Sequence, residues 1–240
     1  MLAAKLTGYA SRPDVLVLGL PRGGVPVAAI VAQRLHVPLD VMIVRKLGVP
    51  GHEELAMGAI ATDGVMILNQ RVIDSLEIPA AAIEAAVLRE SAELARREQL
   101  YREGRPLPVI RDRTVILVDD GIATGSTVRA AISVLRHHRA RRIVVATPTI
   151  STATQREMQD EADEIVAVLT PEEFFGVGQF YEDFSQTTDE EVQALLSLAA
   201  TSARDLSYPP PRHAKVRPGD NHHEKKASSV RPTASGSNRG

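Results

Sequence analysis

The chain contains no cysteine among its 240 residues, and aromatic residues make up only 3% of it. Without cysteine there is no disulfide framework, no thiolate nucleophile and no cysteine-ligated zinc. No apolar run approaches the roughly 20 residues that a membrane-spanning helix needs. Residues 1–8 lack the apolar core of a secretory signal. These absences favour a protein without membrane contact, and a cytoplasmic location is the default expectation.

The net charge of −2 is spread unevenly along the chain. Residues 207–240 carry seven Lys/Arg against two Asp/Glu, so this segment has a charge of +5 and the rest of the chain −7. Phosphate backbones are bound by clustered basic residues, so the acidic body argues against nucleic acid as a partner. The Pro, Ser, Lys and Arg content of residues 207–240 predicts a disordered basic tail behind one folded domain over 1–206.

Short apolar runs alternate with helical patterns, which is typical of βαβ units and a parallel sheet. The run at 114–118 is apolar without alternation, as expected of a strand covered on both faces. The fold class is therefore predicted to be α/β, with a mostly parallel twisted sheet flanked by helices. The predicted strands lie near 15–19, 39–44, 65–68, 114–118, 142–147 and 164–169, and the helices near 25–35, 79–103, 126–138 and 189–203.

The most informative segment follows the strand at 114–118, where two adjacent carboxylates, Asp119 and Asp120, precede a glycine-containing loop and a helix. Helix N-termini attract anions through unpaired N–H groups and the helix dipole. Carboxylates repel phosphate, so the acid pair indicates a ligand that also presents hydroxyls or brings a divalent cation. A ribose 5-phosphate with Mg²⁺ meets both demands. The residues assigned to the 5′-phosphate are Gly121, Ile122, Ala123, Thr124, Gly125, Ser126 and Thr127.

A purely structural interpretation assigns the two acids to a strand end and Ser126 or Thr127 to a helix cap. Capping accounts for one hydroxyl residue and leaves both acids unexplained. A Walker A loop is excluded because the chain has no Gly-Lys-Ser/Thr sequence.

The run Asp119-Asp120-x-x-Ala-Thr-Gly-Ser-Thr resembles the 5-phosphoribosyl 1-diphosphate (PRPP) signature of type I phosphoribosyltransferases. The resemblance covers about residues 10–190 and is greatest to bacterial members of unassigned acceptor. It implies an enzyme that transfers ribose 5-phosphate from PRPP to a nucleobase-like or other nitrogenous acceptor, with release of diphosphate. It also implies that Asp119 and Asp120 hold the ribose diol and, indirectly through ribose or water, Mg²⁺.

Two basic segments follow the first two strands. Leu20-Pro21-Arg22-Gly23-Gly24 opens the first helix, and the resemblance assigns Arg22, Gly23 and Gly24 to the diphosphate. Arg45 and Lys46 follow the second strand in a pattern similar to that of adenine phosphoribosyltransferases, and they are assigned to catalysis. The glycines and proline at 48–51 fit a flexible lid, whereas residues 52–54 fit a solvated surface loop equally well.

All four phenylalanines lie between Phe174 and Phe184, with Tyr181 among them. In type I enzymes a small hood binds the acceptor, and residues 170–188 are its expected location here. Aromatic rings can stack on a planar base, but packing explains the cluster more simply. Dimers are common in the family, so a homodimer is compatible with the resemblance. The alternative to an enzyme is a PRPP-binding regulatory protein without catalysis.

Overall fold

Two apolar strands, β1 (Val15–Gly19) and β6 (Thr114–Val118), form the centre of the main sheet, and every residue in them is buried. They pair in parallel from Val15 opposite Thr114 to Gly19 opposite Val118. The sheet has the order β2-β1-β6-β7-β8 and is parallel throughout. The outer strands are β2 (Leu39–Val41), β7 (Arg142–Thr149) and β8 (Glu164–Leu169).

Helices cover both faces of this sheet because successive side chains of a strand point to opposite sides. Val15 and Val17 of β1 pack with α2 (Gly24–Leu35), whereas Leu16 and Leu18 pack with α5 (Ser126–His137). The structure, a computed structural model, describes residues 1–205. Its helices are α1 (Leu2–Lys5), α2 (Gly24–Leu35), α3 (Gln70–Ser75), α4 (Ala80–Arg102), α5 (Ser126–His137), α6 (Thr152–Glu157) and α7 (Asp189–Asp205), with 3-10 turns at Thr7–Tyr9 and Val177–Phe180.

A small antiparallel sheet accompanies the main one and contains β3 (Val44–Val49), β4 (His52–Ala61) and β5 (Met66–Leu68). The strand predicted over 39–44 is therefore divided, because β2 ends at Val41 and Val44 begins β3 in the second sheet. The segment expected to be a flexible lid is a β-hairpin. Its turn places Gly51 at a φ of 77°, a conformation that glycine adopts without steric cost.

The predicted fold class is confirmed, since a mostly parallel sheet is flanked by helices and joined by a small antiparallel sheet. Within residues 1–205, no helix has both the length and the apolar composition to cross a bilayer. The domain boundary at 206 and the hood over 170–188 stay predictions. The predicted tail over 207–240 lies outside the described residues.

Candidate active site

The carboxyl ends of β1 and β6 bring two of the predicted segments together. Gly19 is paired with Val118, and the N–H of Leu20 donates to the carbonyl of Val118 at 2.9 Å. The segment at 20–24 and the segment at 119–127 therefore leave the sheet side by side. In open parallel sheets ligands bind at this edge, in the crevice beyond the carboxyl ends of the strands.

The acid pair is partly buried at this edge. The Oδ1 atom of Asp119 accepts the backbone N–H of Asp120 at 3.0 Å, which fixes the first carboxylate. Burial raises the pKa of Asp119 well above its usual value, and the adjacent charge of Asp120 raises it further. Burial also raises the pKa of Asp120. Both carboxylates are therefore held where a hydroxyl donor or a cation would stabilise their charged form.

Gly23 and Gly24 lie directly against the acid pair. A Cβ atom on Gly23 would lie 1.8 Å from the Oδ2 atom of Asp120, and one on Gly24 would lie 2.6 Å from the carbonyl oxygen of Val118. No side chain fits at either position without displacing its neighbour. The close contact between the two segments thus requires glycine at both positions. In the same segment, the peptide bond between Pro21 and Arg22 is cis.

The loop assigned to the 5′-phosphate leads into α5. Gly125 precedes the helix at a φ of 72°, where an L-residue would be strained. The Thr124 and Ser126 hydroxyls lie 3.2 Å apart at the helix entrance. The Nη1 atom of Arg129 donates to the carbonyl of Thr124 at 2.8 Å, and Ile122 is anchored by its N–H to the carbonyl of Thr149 at 2.9 Å. The loop is therefore held from both ends.

The middle of the same loop is held by other elements. The hydroxyl of Thr154 on α6 donates to the carbonyl of Ala123. A Cβ atom on Gly121 would lie 2.3 Å from a methyl carbon of Val177, so the segment near Val177 packs directly onto the loop.

Lys46 reaches this loop from β3. Its Nζ atom donates to the Ser126 hydroxyl at 3.1 Å and contacts the Glu54 carboxylate at 3.2 Å. Glu54 also accepts the Thr124 hydroxyl at 3.2 Å. The structure thus brings a basic residue predicted from a separate segment to the predicted phosphate loop. It also adds Glu54, which the sequence pattern could equally place in a solvated loop.

A cavity of about 370 Å³ lies beside Lys46 and Thr127. Its basic lining includes Arg45 and Arg97, and Glu90 on α4 binds Arg45 at 2.6 Å. The Glu90 carboxylate offsets part of the Arg45 charge. Neither Glu90 nor Arg97 is among the site residues predicted from the sequence. The helical spacing of α4 alone does not show which turn faces the small sheet.

Arg22 lies in a different cavity from Arg45 and Lys46. It lines a second cavity, of about 420 Å³, together with Gly23, Asp120, Tyr181 and Phe184. Its guanidinium is 3.9 Å from the Asp189 carboxylate, a long contact. The structure therefore does not place the Arg22 side chain in the basic cavity of Arg45 and Lys46.

The aromatic segment packs partly on itself and partly on the acid pair. The Tyr181 hydroxyl donates to the Asp120 carbonyl at 2.6 Å, and burial followed by the charges of Asp120 and Asp119 raises the pKa of Tyr181 to about 12. The Tyr181 and Phe184 rings are 5.2 Å apart, and those of Phe174 and Phe180 are 5.3 Å apart. Tyr181 and the half-exposed Phe184 therefore form an aromatic wall beside Asp120.

The oxygen ligands at the site are suited to a hard cation. Mg²⁺ is usually held by one or two carboxylates together with waters and substrate phosphates. Asp119 and Asp120 supply such carboxylates. Within residues 1–205 no three His, Cys, Asp or Glu side chains are grouped as a complete metal site. The residues present thus fit a cation that is completed by its ligand.

Comparison with known proteins identifies the family. The model of the family described as "Phosphoribosyl transferase domain" matches residues 1–184. A Mycobacterium tuberculosis (strain H37Rv) protein, provisionally named a phosphoribosyl transferase, is 46% identical over 213 residues, which are 87% of this chain and 47% of that protein. "Bifunctional protein PyrR" of Deinococcus radiodurans is 31% identical over 90 residues, 35% of this chain and 49% of its own. The chain spans about half the length of these curated relatives.

Among solved structures, the crystal structure of TT1426 from Thermus thermophilus is similar in both sequence and fold. The two are 40% identical with a TM-score of 0.75, and the alignment covers 81% of this chain and 92% of that one. The family match extends over both loops of the site and the small sheet. The predicted family is thereby confirmed: the chain belongs to the phosphoribosyl transferase family.

Proposed function

We propose that this domain binds PRPP and transfers its ribose 5-phosphate to a nitrogenous acceptor, releasing diphosphate. The observation that carries the proposal is the acid pair at the β1–β6 edge. A glycine-containing loop at a helix N-terminus follows it, and the segment at 20–24, which packs against it, contributes Leu20 and Pro21 to the basic cavity of Arg45 and Lys46. Phosphate, diol and diphosphate are the three polar parts of PRPP, and each matches one of these regions.

Each region has a distinct role in this proposal. Residues 121–127 bind the 5′-phosphate with backbone N–H groups and hydroxyls, as helix N-termini do for anions. Asp119 and Asp120 accept hydrogen bonds from the ribose 2′- and 3′-hydroxyls and thereby fix the ring. Arg45 and Lys46 stabilise the departing diphosphate together with the backbone at Gly23 and Gly24. Arg22 and Gly23, both predicted diphosphate residues, line the second cavity and not that of Arg45 and Lys46.

The reaction breaks the bond between ribose C1 and the diphosphate oxygen, which leaves with the bonding electron pair. Positive charge develops on the ring as in an oxocarbenium ion, and the acceptor nitrogen then bonds to C1. The protein forms no covalent bond to the substrate. Its contribution is to position the reactants and to stabilise charge that develops in the transition state. Asp119 and Asp120 would hold Mg²⁺ indirectly, and the bound cation would neutralise part of the diphosphate charge.

The cavity beside Tyr181 is the proposed entry for the acceptor. It shares Asp120 with the ribose site, so an acceptor there lies next to the acid pair and in a different cavity from Arg45 and Lys46. The rings of Tyr181 and Phe184 offer a surface for stacking a planar base. A packing role for these rings agrees equally with their mutual contact, so the acceptor screen must include non-planar amines.

Release of diphosphate from PRPP and Mg²⁺ in the presence of a panel of nucleobases and amines tests the proposal. We expect Asp119→Asn/Asp120→Asn to lower turnover at least about 100-fold, since each carboxylate forms charged hydrogen bonds worth about 1.5–3 kcal/mol. Asp160→Asn, at an exposed position, is the matched control. Full activity of the double variant would contradict the assignment. Binding of PRPP without turnover on any acceptor would favour the regulatory alternative.

A further inference from the structure

Glu54 places a negatively charged group of the protein itself in the loop proposed to bind phosphate. Its Oε2 atom is 3.2 Å from Lys46 Nζ and 3.2 Å from Thr124 Oγ1. The same lysine donates to Ser126 at 3.1 Å, and the Thr124 and Ser126 hydroxyls are 3.2 Å apart. The carboxylate thus contacts a cation and a hydroxyl of the set that would bind a phosphate.

The contact between Glu54 and the loop joins residues that are distant in sequence, but it is weak. Thr124 is separated from Glu54 by 70 residues, so the contact fastens the β3–β4 hairpin to the entrance of α5. The Glu54 side chain is 72% exposed, whereas that of Lys46 is 24% exposed. Exposed ion pairs change an equilibrium constant by about fivefold or less. A ligand that binds the loop more strongly can therefore displace the carboxylate.

The charge of Glu54 is stabilised where it lies. The ammonium of Lys46, and to a smaller extent the Thr124 hydroxyl, lowers the pKa of Glu54, so the side chain is anionic at neutral pH. A phosphate in the loop would meet this charge directly, and like charges in contact repel each other.

The neighbouring residue Glu53 does not share this position. Successive side chains of a strand point to opposite faces. The Glu53 carboxylate lies on the side of Gly48, where a Cβ atom would come within 2.9 Å of its Oε2 atom. Glu53 lines the basic cavity beside Lys46 and Thr127. It therefore carries the same charge next to the site, but on the side of Gly48, and controls for charge alone when the ligand is ribose 5-phosphate.

We infer that Glu54 competes with a ligand phosphate for the phosphate loop, so that a phosphate binds there by displacing the Glu54 carboxylate. The location of the loop rests on the proposed function, and the inference adds a regulation of that site. Displacement transfers Thr124 from the carboxylate to the phosphate, frees Lys46 from its ion pair with Glu54, and releases the outer end of β4 from α5. Glu54 thus lowers the affinity for a phosphate ligand and couples its binding to the hairpin.

Titration calorimetry of ribose 5-phosphate with the full chain, its Glu54→Gln variant and its Glu53→Gln variant tests this inference. We expect E54Q to bind about two- to fivefold more tightly than the unsubstituted protein, and E53Q to change affinity by clearly less. If both variants gained the same affinity for ribose 5-phosphate, the effect would come from the general electrostatic field, and displacement of Glu54 would be refuted. Unchanged or weaker binding by E54Q would overturn it as well.

The remaining outcomes separate the inference from the proposed function. If no variant binds ribose 5-phosphate, the loop is not a phosphate site and the inference fails. If E54Q binds more tightly but no acceptor yields diphosphate from PRPP and Mg²⁺, the inference stands and only the catalytic proposal fails.

Discussion

Replacing Gly23 by alanine tests the contact on which the candidate site depends. The added Cβ would lie 1.8 Å from Oδ2, 2.6 Å from Cγ and 3.3 Å from Cβ of Asp120. An aspartate side chain is short, so small adjustments cannot relieve an overlap that includes its Cγ atom. The Asp120 carboxylate must rotate away from α2, or the two segments must separate.

The expected cost follows from this overlap. Overpacking of a tight contact typically destabilises a protein by about 1–3 kcal/mol. About 2 kcal/mol corresponds to a decrease in Tm of roughly 4–8 °C for a domain of this size. If the carboxylate rotates away, ribose 5-phosphate loses a charged hydrogen bond of about 1.5–3 kcal/mol, and its Kd rises roughly 10- to 100-fold.

Thermal unfolding and calorimetric titration with ribose 5-phosphate measure both effects. Gly8→Ala is the matched control, because a Cβ atom at Gly8 would have no neighbour within 4 Å. We expect G8A to retain the Tm and affinity of the unsubstituted protein. If G23A matched G8A in both, Asp120 would not be held against α2, and its role in binding the diol would be refuted. A lower Tm with unchanged affinity would refute the role of Asp120 in binding the diol but not its contact with α2.

Three other substitutions probe the same edge of the sheet. Because folding raises the pKa of Asp119, ionising this carboxyl group destabilises the folded state, and the destabilisation appears as the pH rises above the unfolded pKa of about 3.9. D119N should therefore have the larger free energy of unfolding at pH 8, measured in urea. Below the unfolded pKa, the two proteins should be equally stable. K46M removes the ammonium that contacts Ser126, and kcat/KM for PRPP should fall roughly 10- to 100-fold in a diphosphate-release assay. Y181F removes the hydrogen bond to the Asp120 carbonyl and should lower the free energy of unfolding by about 0.5–1.5 kcal/mol, measured in urea.

The sequence allowed prediction of those parts of the fold that depend on local patterns. Residues 15–19 and 114–118 are apolar without alternation, and both are fully buried central strands. The helix predicted over 79–103 corresponds to α4, Ala80–Arg102, and the strand predicted over 164–169 matches β8. The acid pair and its loop were also evident, because a strand, two acids, glycines and hydroxyl residues follow one another without interruption.

The hairpin was missed because its signals conflict. Residues 39–44 form one apolar run, but Val41 ends β2 and Val44 begins β3 in a different sheet. Periodicity shows that a segment is extended and does not show which sheet it joins. Gly48, Pro50 and Gly51 are typical of loops, yet only Gly51 has a positive φ, at the turn between β3 and β4. Tertiary pairing with β4 decided the structure of this segment.

Contacts between segments that are distant in sequence also involve two glycines of the candidate site. These contacts give a second reason why glycine is needed at each position. Gly121 is among the residues assigned to the 5′-phosphate, but its missing side chain also leaves room for Val177. Gly23 was interpreted as part of a diphosphate loop, but its missing side chain also leaves room for Asp120. A glycine substitution at either position therefore disturbs protein packing even when no ligand is present. Loss of activity in such a variant demonstrates a ligand contact only if stability is measured beside it, which is why G23A requires both a Tm and a Kd.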